Sequence, residues 1–244
     1  MTDIRTRNGG QLLMDSLVAL GATRGFGVPG ESYLAVLDAM VDHANAFDLV
    51  LCRQEGGAAY MAAAWGKLTG EPGLCFVTRG PGATNATVGI HTAMQDSVPM
   101  ILFVGQVGTD VMGREAFQEV DYTAFFGPLA KWAVQIDHVD RVPEIISRAW
   151  TVAMSGRPGP VVVALPEDML VATSDRLPCN PVAIPEPAVP EAGAAQMAAM
   201  LAAAERPVML VGGTRWTAGS ARALESFAAA NDVPVVAAFR FPVS

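Results

Sequence analysis

Short apolar runs alternate with longer helix-like runs along the first two thirds of the chain, and that rhythm leaves few folds open. Phe26–Val28, Asp48–Cys52, Leu74–Thr78, Met100–Val104, Lys131–Ile136 and Val161–Leu165 read as strands. Several are apolar at consecutive positions, as strands buried on both faces require. Between them lie helical stretches over about Ala58–Leu68, the residues up to Gln95, and Pro143–Met154. A first helix spans Gly10–Leu20, capped by Asn8, with Leu12, Leu13, Leu17 and Leu20 on one face. A second runs from Glu31 or Ser32 to Met40. Strands that alternate with helices pair in parallel and are covered on both sides. The predicted fold is therefore α/β, a doubly wound parallel sheet of about six strands.

The rhythm loosens over 105–128, where Gly108, Gly113 and Gly127 mark a long functional loop. It breaks after Ala172. Pro178, Pro181, Pro185, Pro187 and Pro190 define an extended linker over 173–191, which separates a first domain (1–172) from a second (192–244). The second begins another α/β pattern, with helices over Ala192–Ala204 and Ala218–Ala230 and strands over Pro207–Val211 and Pro234–Ala238. No helix follows that last strand, so this domain reads as incomplete.

A net charge of −8 argues against nucleic-acid or anionic-membrane partners. No apolar run reaches membrane-spanning length, and Met1–Arg5 has no apolar signal region, so a cytoplasmic location is expected. Cys52, Cys75 and Cys179 are too scattered for a disulfide framework, and the three histidines are isolated, so no metal site is expected.

The strongest site candidate is Glu55, in Arg53-Gln54-Glu55-Gly56-Gly57-Ala58. It sits where a strand hands over to a helix, the carboxyl edge at which such sheets bind ligands. The plain alternative is a Glu favoured there by the helix dipole alone. Gly80-Pro81-Gly82-Ala83-Thr84-Asn85 also follows a strand and opens a helix. As a dinucleotide fingerprint it is short of its third glycine, with Asn85 in that place, so a nicotinamide enzyme is the weaker reading.

Six segments in order carry a resemblance. They are Phe26-Gly27-Val28-Pro29-Gly30, the Arg53–Ala58 segment, Val77–Asn85, Gly105-Gln106-Val107, Ala116-Phe117-Gln118-Glu119 and Gly156–Val161. The series resembles the amino-terminal, pyrimidine-binding domain of thiamin-diphosphate enzymes of the acetolactate (acetohydroxyacid) synthase type. It covers nearly all of 5–172 and continues more loosely into the middle domain of those enzymes.

The resemblance implies that Glu55 hydrogen-bonds N1′ of the cofactor's aminopyrimidine and so promotes loss of the thiazolium C2 proton. It places Val28, Pro29, Gly30, Thr78, Pro81, Gly82 and Asn85 around the pyrimidine, and brings Gln118 to the cofactor from the long loop. Phe117 and Lys131 would line the substrate side; ordinary loop packing and a solvated surface lysine are the plain alternatives. Glu119 adjoins this loop, and no role for it follows from the motif. The implied substrate is a 2-oxo acid such as pyruvate, decarboxylated or ligated to an acceptor. The implied partner is a second subunit, in a homodimer or tetramer, that completes the active site.

Mg²⁺ and the cofactor diphosphate would be held by a carboxyl-terminal Gly-Asp-Gly domain absent from these residues, so the chain alone is expected to be inactive. Where the synthases usually have Pro-Gly-Gly-Ala, this chain has Pro29-Gly30-Glu31-Ser32, and their flavin-holding segment reads Phe239-Arg240-Phe241-Pro242 here. These departures leave FAD open, and with it a decarboxylase or lyase acting on another 2-oxo acid. A non-catalytic assembly module on the same scaffold is the rival from a different class.

Overall fold

The structure, a computed structural model, describes residues 6–240, so Met1–Arg5 and the Phe241-Pro242 part of the last motif lie outside the described residues. Two compact units divide at Ile184/Pro185.

In the first unit, β1 (Arg7–Asn8) leads into α1 (Gly9–Ala19), followed by β2 (Arg24–Gly27) and α2 (Leu34–Asp42). Next come β3 (Asp48–Leu51), α3 (Glu55–Thr69), β4 (Gly73–Val77), α4 (Gly80–Asp96) and β5 (Met100–Gln106). The unit ends with α5 (Tyr122–Phe126), β6 (Trp132–Gln135), α6 (Val142–Met154), β7 (Pro160–Pro166), α7 (Glu167–Val171) and β8 (Thr173–Ser174). Six strands form one sheet in the order β3-β2-β4-β5-β7-β6, and every pairing is parallel. This is the doubly wound sheet the sequence predicts.

Side-chain alternation divides the core in two. Leu74, Phe76, Ile101, Phe103, Val161, Val163 and Leu165 face α1, α2 and α6. Cys75, Val77, Met100, Leu102, Val104, Val162 and Ala164 face α3, α4 and α5. Consecutive apolar residues in these strands thus serve opposite layers.

Helix entry follows local chemistry. The Asn8 side chain accepts the Gln11 N–H (2.8 Å), and the Gln11 side chain accepts the Asn8 N–H (3.1 Å), a reciprocal cap at α1. Asn8→Ala is expected to cost about 1 kcal/mol of stability, read as a lowered urea midpoint of the first unit with an unchanged slope.

The Pro-rich stretch differs from expectation over its first half. β8 pairs antiparallel with β1, the Cys179 N–H donates to Ser16 Oγ (3.4 Å), and Ile184 packs on the α1/α2/α6 layer. Residues 173–184 are therefore extended chain laid on the first unit, because their apolar and polar groups find partners there. Proline disfavours a helix interior, but it does not prevent packing.

In the second unit, α8 (Glu191–Ala203), β9 (Met209–Val211), α9 (Ala218–Ala230) and β10 (Val235–Ala237) follow one another, with β9 and β10 paired in parallel. Thr217 caps α9 reciprocally with Ser220. Gly212-Gly213 forms the turn after β9, with Gly213 at φ +86°.

Candidate active site at the carboxyl edge of the sheet

From β2 the chain turns to β3 on one side, and from β4 it turns to β5 on the other. The crevice between the ends of β2 and β4 is thus the switch point of the sheet, where α/β folds bind ligands. Most of the candidate residues gather there.

Glu55 is the first residue of α3. The Gln54 side chain accepts the Gly57 N–H (2.8 Å), so the helix starts three residues earlier than its apolar run at Ala58 suggests. The Glu55 carboxylate is half-buried, and its Oε2 accepts a hydrogen bond from Asn85 Nδ2 at 2.9 Å. Asn85 lies in the second turn of α4. A Cβ on Gly82, one turn earlier, would stand 3.6 Å from Glu55 Oε1 and 3.0 Å from Thr78 Cγ2. Glycine there keeps the approach to Oε1 clear.

The opposite wall is Val28-Pro29-Gly30. A Cβ on Gly30 would lie 2.5 Å from Thr78 Cβ, so only glycine lets this loop close on Thr78. The Tyr33 hydroxyl donates to the Val28 carbonyl (2.5 Å), and Ser32 Oγ meets Thr78 Oγ1 at 2.9 Å. Burial pushes the Tyr33 hydroxyl far above the ordinary tyrosine range, and the nearby Glu55 carboxylate adds to it. It therefore stays protonated and keeps donating.

The long loop reaches the same crevice. The Gly80 N–H, opening α4, donates to the Gln118 carbonyl (3.0 Å), and buried Gln106 donates to the Val120 carbonyl (2.8 Å). Gln118 is half-buried beside this contact, while Phe117 is 74% exposed. Pro81 is exposed in the first turn of α4.

Lys131 stands elsewhere. Its N–H donates to the carbonyl of Pro160, the first residue of β7, which puts it at the amino edge of the sheet. Its ammonium donates to the carbonyls of Val152 (2.5 Å) and Ser155 (2.6 Å), where α6 ends. Burial holds its pKa below the usual lysine range. It is neither a solvated surface lysine nor a neighbour of the Glu55 cluster: unsatisfied carbonyls at a helix end attract a cation.

Sequence reasoning missed Arg79. Its buried guanidinium pairs with Glu167 at the start of α7 and with Glu31 (3.3 Å), spanning the crevice rim from the β2 loop to β7. The usable signal was a cation immediately after a buried strand, with acidic residues after two others.

The residues present suit an aminopyrimidine. They offer a carboxyl oxygen with its approach kept clear, an amide that orients the carboxyl, and a glycine-lined wall opposite. Comparison with known proteins agrees with that chemistry. Residues 7–125 match the family described as thiamine pyrophosphate enzyme, N-terminal TPP binding domain, and they belong to it.

More narrowly, the chain is acetolactate synthase-like over most of its length. It is 38% identical over 227 residues to the acetolactate synthase isozyme 2 large subunit of Escherichia coli, covering 93% of this chain and 41% of that one. Against the isozyme 3 large subunit of the same organism the identity is 37% over 236 residues (94% and 41%). Against the large subunit of Lactococcus lactis it is 35% over 235 residues (94% and 40%). The chain thus spans about two fifths of the length of these curated relatives. Among the described residues no helix is long and apolar enough to cross a membrane.

Proposed function

We propose that this chain supplies the pyrimidine-binding side of a thiamin-diphosphate-dependent enzyme that decarboxylates or ligates 2-oxo acids such as pyruvate, as an acetolactate synthase does. The observation that carries the reading is the Glu55–Asn85 hydrogen bond at the switch-point crevice, with Gly82 leaving Glu55 Oε1 open to approach. When bound, the cofactor supplies a carbon nucleophile and an electron sink for loss of CO₂.

The chain's own part is to bind, orient and hold a proton. Asn85 fixes the plane of the Glu55 carboxyl through Oε2 and turns Oε1 toward the place a pyrimidine ring nitrogen would occupy. Thr78 and Val28-Pro29-Gly30 wall the other side of the ring. Gln118 closes the crevice from the loop, and Phe117 presents an apolar ring toward the substrate side.

Mg²⁺ and the diphosphate belong, in this reading, to groups outside the described residues, among which no three His, Cys, Asp or Glu side chains cluster to hold a metal. A second subunit would cover the half-buried carboxyl. Exposed Tyr60, Met61, Leu68 and Val88 on the outer side of α3 and α4 support this, since such apolar patches mark interfaces.

The test is titration of the isotope-labelled chain with 4-amino-5-hydroxymethyl-2-methylpyrimidine at millimolar concentration, followed by amide NMR. Shifts are expected to centre on Gly30, Thr78, Gly82 and Asn85. Shifts centred elsewhere, or none, would overturn the assignment.

A further inference from the structure

The loop that brings Phe117 and Gln118 to the crevice has no regular secondary structure between Val107 and Asp121. Its shape is nevertheless specified, and one side chain does most of the specifying. The Glu119 carboxylate accepts the Gly113 N–H through Oε1 (2.6 Å) and the Ala116 N–H through Oε2 (2.9 Å). The bond from Gly113 closes residues 113–119 into a ring, and within it the Glu119 N–H donates to the Ala116 carbonyl (3.0 Å).

Inside that ring two non-glycine residues are left-handed, Glu115 at φ +54° and Gln118 at φ +65°. Residues with a Cβ adopt such angles at a cost, so something must hold them there. Charge-assisted bonds from a carboxylate to two amides are strong enough to do so. Those same bonds hold the Glu119 carboxyl below the usual glutamate range, Gly113 foremost and Ala116 next. The ring is then docked on the site, because the Gln118 carbonyl, in its left-handed conformation, takes the Gly80 N–H at the head of α4.

We propose that Glu119 is the positioning residue of this enzyme's substrate side: by chelating the Gly113 and Ala116 amides it locks the left-handed backbone that presents Phe117 and Gln118 to the crevice. The role rests on the function proposed above. Glu119 touches neither cofactor nor substrate, and it works through the geometry of its two neighbours.

Glu119→Gln keeps the length but replaces one acceptor oxygen by an amide donor that faces an N–H. Glu119→Ala removes both acceptors. The side chain is at the surface, so both variants are expected to fold. Hydrogen exchange on the chain should then show the Gly113 and Ala116 amides exchanging at least about tenfold faster in both variants, with α3 and α4 unchanged.

In the active, cofactor-loaded enzyme both variants should raise KM for the 2-oxo acid by about tenfold, the pattern of lost substrate positioning. Exchange of the cofactor's C2 proton, which reads Glu55, should stay within about twofold of wild type. Faster loop exchange with an unchanged KM would make Glu119 a stabiliser of the loop and nothing more, overturning the proposal. A raised KM with an unloosened loop would overturn it too, since Glu119 would then act directly. C2 exchange slowed as much as by Glu55→Gln would place Glu119 in cofactor activation instead. If Glu55→Gln itself leaves C2 exchange untouched, the proposed function fails, whatever the loop does.

Discussion

In the cofactor-loaded enzyme, Glu55→Gln is expected to slow exchange of the cofactor's C2 proton at least about 100-fold, the low end of what a positioned acid–base group contributes. The substitution is close to isosteric, and its effects separate cleanly. The side-chain amide that replaces the carboxylate still presents an oxygen to Asn85 Nδ2, so the contact between α3 and α4 survives. The start of α3 rests on the Gln54 cap, not on the carboxylate. Stability should therefore change by no more than about 0.5 kcal/mol, as for a surface substitution away from caps and core. What is lost is a group able to exchange a proton: an amide nitrogen turned toward a ring nitrogen donates a hydrogen bond but does not share a proton with it. Proton exchange followed by NMR after acid quench measures the rate, and a wild-type rate in the mutant would remove Glu55 from the mechanism.

How much of this site was legible beforehand depended on what kind of interaction built it. The central strands announced themselves because burial on both faces demands unbroken apolar runs, as in Met100–Val104. Glu55 and Asn85 were legible because each sits at a fixed step after a strand end, and topology brings all such steps to one edge. Helix starts were less legible. α3 begins at Glu55 because of a Gln54 cap, and α5 begins after Asp121, whose side chain accepts the Ala124 N–H (3.0 Å); both are polar signals of one residue beside apolar runs. α7, only five residues long, was hidden behind a strand, although acidic Glu167 and Asp168 in its first turn are what a helix start favours.

The remainder was out of reach for a physical reason: long side chains choose their partners in three dimensions. Lys131 reads as a charge near a strand start, and nothing in its neighbours shows that α6 ends within reach of its ammonium. Arg79 joins acids at positions 31 and 167, contacts that exist only once the sheet order is known. Glu119 is the sharpest case. Its partners are backbone amides three and six residues away, so composition carries no trace of them, and the motif left it without a role.

The seam between α3 and α4 joins fold to site, and Gly89→Ala should expose that link with a change of sign. In an ordinary helix interior, alanine is better than glycine by about 1 kcal/mol. At Gly89 a Cβ would stand 2.4 Å from Ala59 Cβ and 2.7 Å from the Ala59 carbonyl carbon, and backbone does not yield as a side-chain tip would. Buried Ala58, Ala59, Ala62, Ala83, Ala86 and Ala93 line the same seam, so no neighbouring void takes up the displacement. Overpacking of this kind costs about 1–3 kcal/mol, and because the helices must separate along their whole contact we expect it to exceed the propensity gain, leaving a net loss of about 1 kcal/mol. The consequence reaches the chemistry by one helical turn. Ala59 is four residues after Glu55 and Gly89 four after Asn85, so a wedge at the lower pair opens the 2.9 Å hydrogen bond at the upper one. Gly57→Ala is the matching control, since its Cβ would meet only Gln54 Oε1, at 4.0 Å, and it should hold or raise stability. The urea midpoint, followed by near-ultraviolet circular dichroism, should fall for Gly89→Ala and hold or rise for Gly57→Ala. If Gly89→Ala proves as stable as Gly57→Ala, the close seam does not set the distance between Glu55 and Asn85.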